Sequence, residues 1–221
     1  MERIVKTRQC WDTYGKALCE HHQNNGIPIK FVPYSKMNSA GGTCHYIIVL
    51  DESGSMHGVK FQDALNGAVA FGNTLFTKSA SSKLSAVLFS SGARKILQEG
   101  DGSALSTLKS ISYRGGGTNF EAALNAAAEV ISACRHGSYS RHIILFYTDG
   151  CAGYPLGAVQ KIKGLRSNSM EVDLYAICEE RNPSVLKQIC QELHPQDHSF
   201  HLRSNITPDQ LGLVMSEIIA A

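Results

Sequence analysis

The sequence predicts an α/β domain: a mostly parallel sheet with helices packed on both faces. Two observations carry this. From about residue 44, short apolar runs alternate with longer segments whose apolar residues recur at helical spacing. The short runs are nearly continuous rather than alternating apolar with polar, which is the pattern of strands buried on both sides.

The elements follow in order. CHYIIVL (44–50) reads as the first strand. VKFQDALNGAVAFGNTLFTK (59–78) reads as a helix, because Phe61, Ala64, Leu65, Ala68, Val69, Gly72, Leu75 and Phe76 fall on one stripe. LSAVLFS (84–90) is a second strand, and ARKILQ (93–98) lies close enough behind it to be a hairpin partner. DGSALSTLKSI (101–111) reads as a short helix. NFEAALNAAAEVISAC (119–134) is amphipathic, with Phe120, Ala123, Leu124, Ala127, Val130, Ile131 and Cys134 in one stripe.

RHIILFYT (141–148) is a strand closed by Asp149-Gly150. A helix around 156–167, the strand VDLYAIC (172–178) and a helix from Pro183 come next, with Asn182 placed to cap that helix. FHL (200–202) reads as a last short strand. The spacing Thr207-x-x-Gln210 is a capping box that opens a final helix, with Leu211, Val214, Met215, Ile218 and Ile219 inward.

The domain is expected over residues 41–221, preceded by a partly irregular extension over 1–40. That extension holds Cys10, Cys19, His21 and His22, four zinc-capable side chains without the paired spacing of zinc modules; packing is the competing reading. With 221 residues, a net charge of +2, 43% hydrophobic and 18% charged residues, the composition is that of a soluble globular protein. No run of five Lys or Arg occurs, so neither nucleic acid nor an anionic membrane is expected as a partner. No apolar run is long enough for membrane insertion, and with Glu-Arg-Ile-Val-Lys-Thr-Arg after Met1 no signal peptide is expected. Seven scattered cysteines point to a reducing, intracellular and cytoplasmic setting.

In parallel α/β sheets ligands bind outside the carboxyl ends of the strands. Three loops bring oxygen there: Asp51, Ser53 and Ser55 after the first strand, Thr118 behind the glycines of YRGGGTNF, and Asp149 after RHIILFYT. Carboxylates and hydroxyls are hard donors, suited to Mg²⁺, Mn²⁺ or Ca²⁺ rather than zinc or copper. If the hydroxyls bind directly and the aspartates act through water, the ion stays electron-poor. Three hydroxyls and about two waters leave one octahedral position for an outside carboxylate.

Each piece also has a plainer reading. Asp51 and Ser53 suit a strand-ending turn, and Asp149-Gly150 is a common turn pair. Thr118 with Glu121 is a T-x-x-E capping box, in which the hydroxyl would serve the helix start. Glu52 is expected to face solvent or to stand just outside the site. With His57, Tyr113, Arg114 and Tyr154 it forms a candidate partner-binding rim. Cys151, with His57 as base, invites a nucleophile reading that no catalytic motif supports.

At D-x-S-x-S (Asp51, Ser53, Ser55), Thr118 and T-D-G (Asp149), the chain resembles the von Willebrand factor A family and its metal-ion-dependent adhesion site, or MIDAS. The resemblance covers roughly residues 44–220. It implies a doubly wound sheet with one short antiparallel edge strand, which ARKILQ fits. It also implies direct coordination of Mg²⁺ or Mn²⁺ by both serines and the threonine, with the aspartates acting largely through water. The D-x-S-G-S-M form with Glu52 is more similar to the intracellular branch of the family.

The function expected is a non-catalytic protein-interaction domain whose cation accepts an exposed Asp or Glu from a partner protein. An alternative is a scaffold in an intracellular assembly with a mainly structural metal. A metal-dependent hydrolase is the third reading. Against it, the sequence has no G-x-x-x-x-G-K-[ST] loop and no general base beside the oxygen donors.

Overall fold

The computed structural model describes residues 43–135, 137–167, 170–178, 183–193, 200–202 and Gly212. Among them, six strands form one sheet in the order β3-β2-β1-β4-β5-β6. The strands are β1 (Cys44–Asp51), β2 (Lys83–Phe89), β3 (Ala93–Gly100), β4 (Arg141–Thr148), β5 (Glu171–Cys178) and β6 (Phe200–Leu202). All neighbours run parallel except β2 and β3, which are antiparallel. The edge strand β3 reaches Gly100, two residues beyond the expected end.

The α-helices whose bounds are described are α1 (Val59–Lys78), α2 (Leu105–Lys109), α3 (Phe120–Ala133), α4 (Leu156–Leu165) and α5 (Ser184–Leu193). The expected helix over 101–111 is shorter, a 3-10 turn at Gly102–Ala104 running into α2. Asn182 and the final helix from Thr207 lie outside the described residues. Gly212 is the exception: it is helical, and a Cβ there would come within 2.9 Å of Ala70 on α1.

Strand β1 explains why both faces need cover. Successive side chains alternate between faces. Tyr46, Ile48 and Leu50 enter a core closed by α1 and α2, while Ile47 and Val49 enter a second core closed by α3, α4 and α5. The stripe expected on α1 is buried, with Phe76 at its margin, and Phe71 joins it. Each large apolar side chain so buried contributes about 1.5–3 kcal/mol.

The buried polar residues among those described are His45, Asp51, Glu52, Ser53, Ser82, Ser85, His142 and Thr148. They gather at or just beyond the two ends of the central strands, and the middles are apolar. The carboxyl-end group lies where β1 and β4 part. The chain leaves β1 toward β2 on one side and reaches β4 on the other, so the crevice between their loops is a topological switch point.

Candidate metal centre

The DESGS segment leaves β1 at this switch point. Asp51 is fully buried and both of its oxygens are engaged: Ser53 N–H donates to Oδ1 (2.6 Å), and the Thr148 hydroxyl donates to Oδ2 (2.5 Å). Burial pushes the Asp51 carboxyl above its ordinary value. The hydrogen bonds from Thr148 and Ser53 pull it back down, and the charge of Asp149 pushes it up further. A cation nearby would stabilise the charged form of both carboxylates.

The 3-10 turn Gly54–Met56 stacks the two serines. Ser53 Oγ and Ser55 Oγ are 3.2 Å apart, and Ser55 Oγ donates to Asp149 Oδ1 at 2.6 Å. Adjacent ligands of an octahedral Mg²⁺, with metal–oxygen distances of about 2.1 Å, are separated by about 3 Å. The serine pair matches that edge, so the donor set fits a hard divalent cation in both chemistry and spacing. The other carboxylate oxygen of Asp149 accepts from Lys60 Nζ at 2.6 Å.

Thr118 reaches the site from the glycine loop. A Cβ built on Gly150 would lie 3.5 Å from Thr118 Oγ1, which sets the threonine hydroxyl beside the Asp149-Gly150 turn. Its hydroxyl is not the helix cap. Asn119 is the N-cap of α3, accepting from Ala122 N–H at 3.0 Å, so the T-x-x-E capping reading is corrected. Asn119 stands one residue nearer the first helical turn, and its short amide reaches the orphan N–H.

The glycine loop is clamped to its neighbours. Gly54 N–H donates to Gly116 O at 2.8 Å, joining the first two loops. Gly116 has φ +121°, and a Cβ there would stand 3.1 Å from the hydroxyls of both Ser90 and Ser91. Gly117 N–H donates to Ser91 Oγ at 2.8 Å.

The five expected rim residues divide. Glu52 is not solvent-facing: it is buried, and Arg94 holds it bidentately at 2.9 and 2.7 Å while donating also to Ser112 O. Burial of a carboxylate demands such a partner, and the edge strand supplies it. Tyr113 braces the serine turn, its hydroxyl donating to Ser53 O at 2.9 Å and its ring lying against Phe61 and His57. His57 and Arg114 are exposed. Tyr154 donates a hydrogen bond to Glu192 on α5. Cys151 is exposed beside a cleft of about 310 Å³ that runs from Gly150 to Pro183 and Leu186.

Sequence reasoning missed Lys60, Thr148 and Ser91. The Ser90-Ser91-Gly92 turn ends a strand at the same edge and was the available signal for the last of these. Cys10, Cys19, His21 and His22 lie outside the described residues. No described helix is long and apolar enough to cross a membrane.

Comparison with known proteins bears on this geometry. The sequence model described as the von Willebrand factor type A domain matches residues 47–210. No curated protein matches the chain significantly. Solved structures with the same fold include a von Willebrand factor type A protein from Catenulispora acidiphila, 21% identical with a TM-score of 0.61 over 80% of this chain and 42% of that one. Proximal thread matrix protein 1 from the mussel byssus, described with a zinc-occupied MIDAS motif, is 15% identical with a TM-score of 0.59 over 80% of this chain and 47% of that one. The PilB minor pilin from Streptococcus sanguinis is 12% identical, with a TM-score of 0.62 over 87% and 62%. The chain thus spans less than two thirds of each.

Proposed function

Since the chain belongs to the von Willebrand factor type A family, we propose that it is a non-catalytic protein-interaction domain that holds a divalent cation at the carboxyl edge of its sheet. Ser53, Ser55 and Thr118 donate hydroxyl oxygens directly, and Asp51 and Asp149 act through water. The remaining position takes an Asp or Glu side chain from a partner protein. Mg²⁺ or Mn²⁺ is the resident ion, in keeping with the hard donor set.

The observation that carries this reading is the 3.2 Å pairing of Ser53 Oγ with Ser55 Oγ, with Asp149 hydrogen-bonded to the second of them. The zinc-occupied MIDAS named for the mussel protein adds support from a distant relative with this fold. Two exposed large apolar side chains, Val59 and Leu156, begin the helices that leave the first and third site loops. They supply apolar contact beside a charged anchor and help exclude water from the metal–carboxylate bond, where screening otherwise keeps such pairs weak.

The test is a random-peptide display selection against the chain in Mg²⁺ and, in parallel, in EDTA. Peptides enriched only in Mg²⁺, carrying Asp or Glu and lost against Ser53→Ala, are expected. Enrichment that is indifferent to EDTA, or that lacks acidic residues, would sink the proposal.

A further inference from the structure

A second group of ligand-type side chains lies at the opposite, amino end of the same strands. His45 and His142 are the second residues of β1 and β4, paired in register and buried. Their Nδ1 atoms are 3.0 Å apart, and Cys134, just past the end of α3, brings Sγ to 3.6 Å from His45 Nδ1. One ring nitrogen of each histidine and the Cys134 sulfur all lie within 4.8 Å of one another.

We propose that His45, His142 and Cys134 form a Zn²⁺ site, with the Glu99 carboxylate beside its fourth position. Tetrahedral Zn²⁺, with Zn–N about 2.0–2.1 Å and Zn–S about 2.3 Å, requires N···N of about 3.3 Å and N···S of about 3.6 Å. The observed 3.6 Å matches the second edge, and the 3.0 Å pair needs to open by only about 0.3 Å.

The surroundings are those of a ligand set. The other nitrogen of His45 lies 2.8 Å from Ser85 Oγ, and Ser85 is itself held by Glu99 N–H at 2.9 Å. Ligating histidines are oriented by such an oxygen on the far nitrogen. Glu99 has φ +47°, and no other described non-glycine residue has positive φ. It sits in a bulge where Gln98 and Glu99 oppose the single Ser85, between the pairs Leu84–Gly100 and Ala86–Leu97. A bulge re-aims a side chain at local cost, and here it turns the carboxylate toward Cys134 and Tyr139. The Tyr139 hydroxyl donates to Glu99 Oε1 at 2.5 Å, and its ring stacks on His45.

A nucleophilic role for Cys134 fits poorly. Burial, the charge of Glu99 and a hydrogen bond to it push the thiol up to about 12, the opposite of an activated cysteine. Burial keeps both imidazoles neutral, with their lone pairs available. On binding, the thiol proton leaves to solvent and a Zn–S bond forms. Each histidine keeps one proton, on Nε2, and gives its Nδ1 lone pair to the metal. The imidazole and thiolate donors here suit Zn²⁺ and not Mg²⁺, which takes the hard oxygens at the other end.

The test uses the full chain in excess Mg²⁺, titrated with Co²⁺ as the spectroscopic substitute for zinc. A thiolate-to-Co²⁺ charge-transfer band saturating at one equivalent is expected, and Zn²⁺ should remove it. Cys134→Ser should abolish the band, while Cys10→Ser/Cys19→Ser and Asp51→Ala should keep it. His142→Ala should weaken binding at least about a hundredfold, beyond the cost of losing an outer contact. Absence of the band in wild type with native near-UV dichroism would overturn the proposal, as would its survival in Cys134→Ser.

Discussion

Lys60 Nζ lies 2.6 Å from Asp149 Oδ2, while Ser55 Oγ occupies Oδ1 of the same carboxylate. Asp149 is thus shared between a cation of the chain itself and a hydroxyl of the proposed metal centre. An incoming divalent ion meets a carboxylate whose charge is already balanced.

Replacing Lys60 with Met should therefore tighten Mn²⁺ binding rather than weaken it. The Asp149 carboxylate is 2% exposed but the lysine side chain is 50% exposed, so solvent screens the pair from the lysine side and it is worth about 1 kcal/mol, or about fivefold in affinity. Isothermal titration of Mn²⁺ at low salt measures this. Weaker binding in Lys60→Met would mean that the ammonium supports the site.

Adjacent residues Thr118 and Asn119 should separate binding from stability. Asn119→Ala removes the α3 cap and should lower stability by about 1 kcal/mol with cation affinity nearly kept. Thr118→Ala should do the reverse. Urea midpoints paired with Mn²⁺ titrations distinguish the two, and equal effects on both quantities would refute the division.

Arg94→Ala leaves the Glu52 carboxylate buried without its partner. The expected loss is about 3–5 kcal/mol, far above that of a surface ion pair. In the double variant Arg94→Ala/Glu52→Gln much of the stability should return. A single variant as stable as wild type would mean that water reaches Glu52.

Glu192 gives a pH signature. Hydrogen bonds from Lys163, then from Tyr154, hold its carboxyl below the ordinary 4.5, and burial with the same contact pushes Tyr154 up to about 12. Between that lowered value and 4.5 the unfolded chain binds a proton that the native state does not, so stability falls as pH falls through the window. The wild-type advantage over Glu192→Gln should be present at neutral pH and be lost as pH falls below the ordinary carboxylate range. A constant advantage across urea melts in that range would count against it.

Much of this was legible in the sequence, for physical reasons. The stripe from Phe61 to Leu75 has one helical solution, and DESGS exceeds the oxygen a turn needs. The hairpin partner of β2 was visible because only a few residues separate the two runs. What stayed hidden depends on residues meeting across distance. Glu52 is paired with Arg94, 42 positions on, and His45 with His142, 97 positions on. The helix cap fell to Asn119 over Thr118 by one position, within the uncertainty of any boundary read from pattern. The bulge at Glu99 leaves no mark in an apolar pattern.

The polar clusters at the two ends of β1 and β4 also act as alignment marks. Ile47 to Leu50 lie beside Ile144 to Tyr147, and these apolar stretches would mesh almost as well if one strand slid by two residues, which keeps every side chain on its own face. Such a slide would carry His142 away from His45 and Thr148 away from Asp51, stranding buried polar atoms at about 1–3 kcal/mol each. The greasy centre of the sheet drives the strands together, and the wet chemistry at its two ends tells them where to stop.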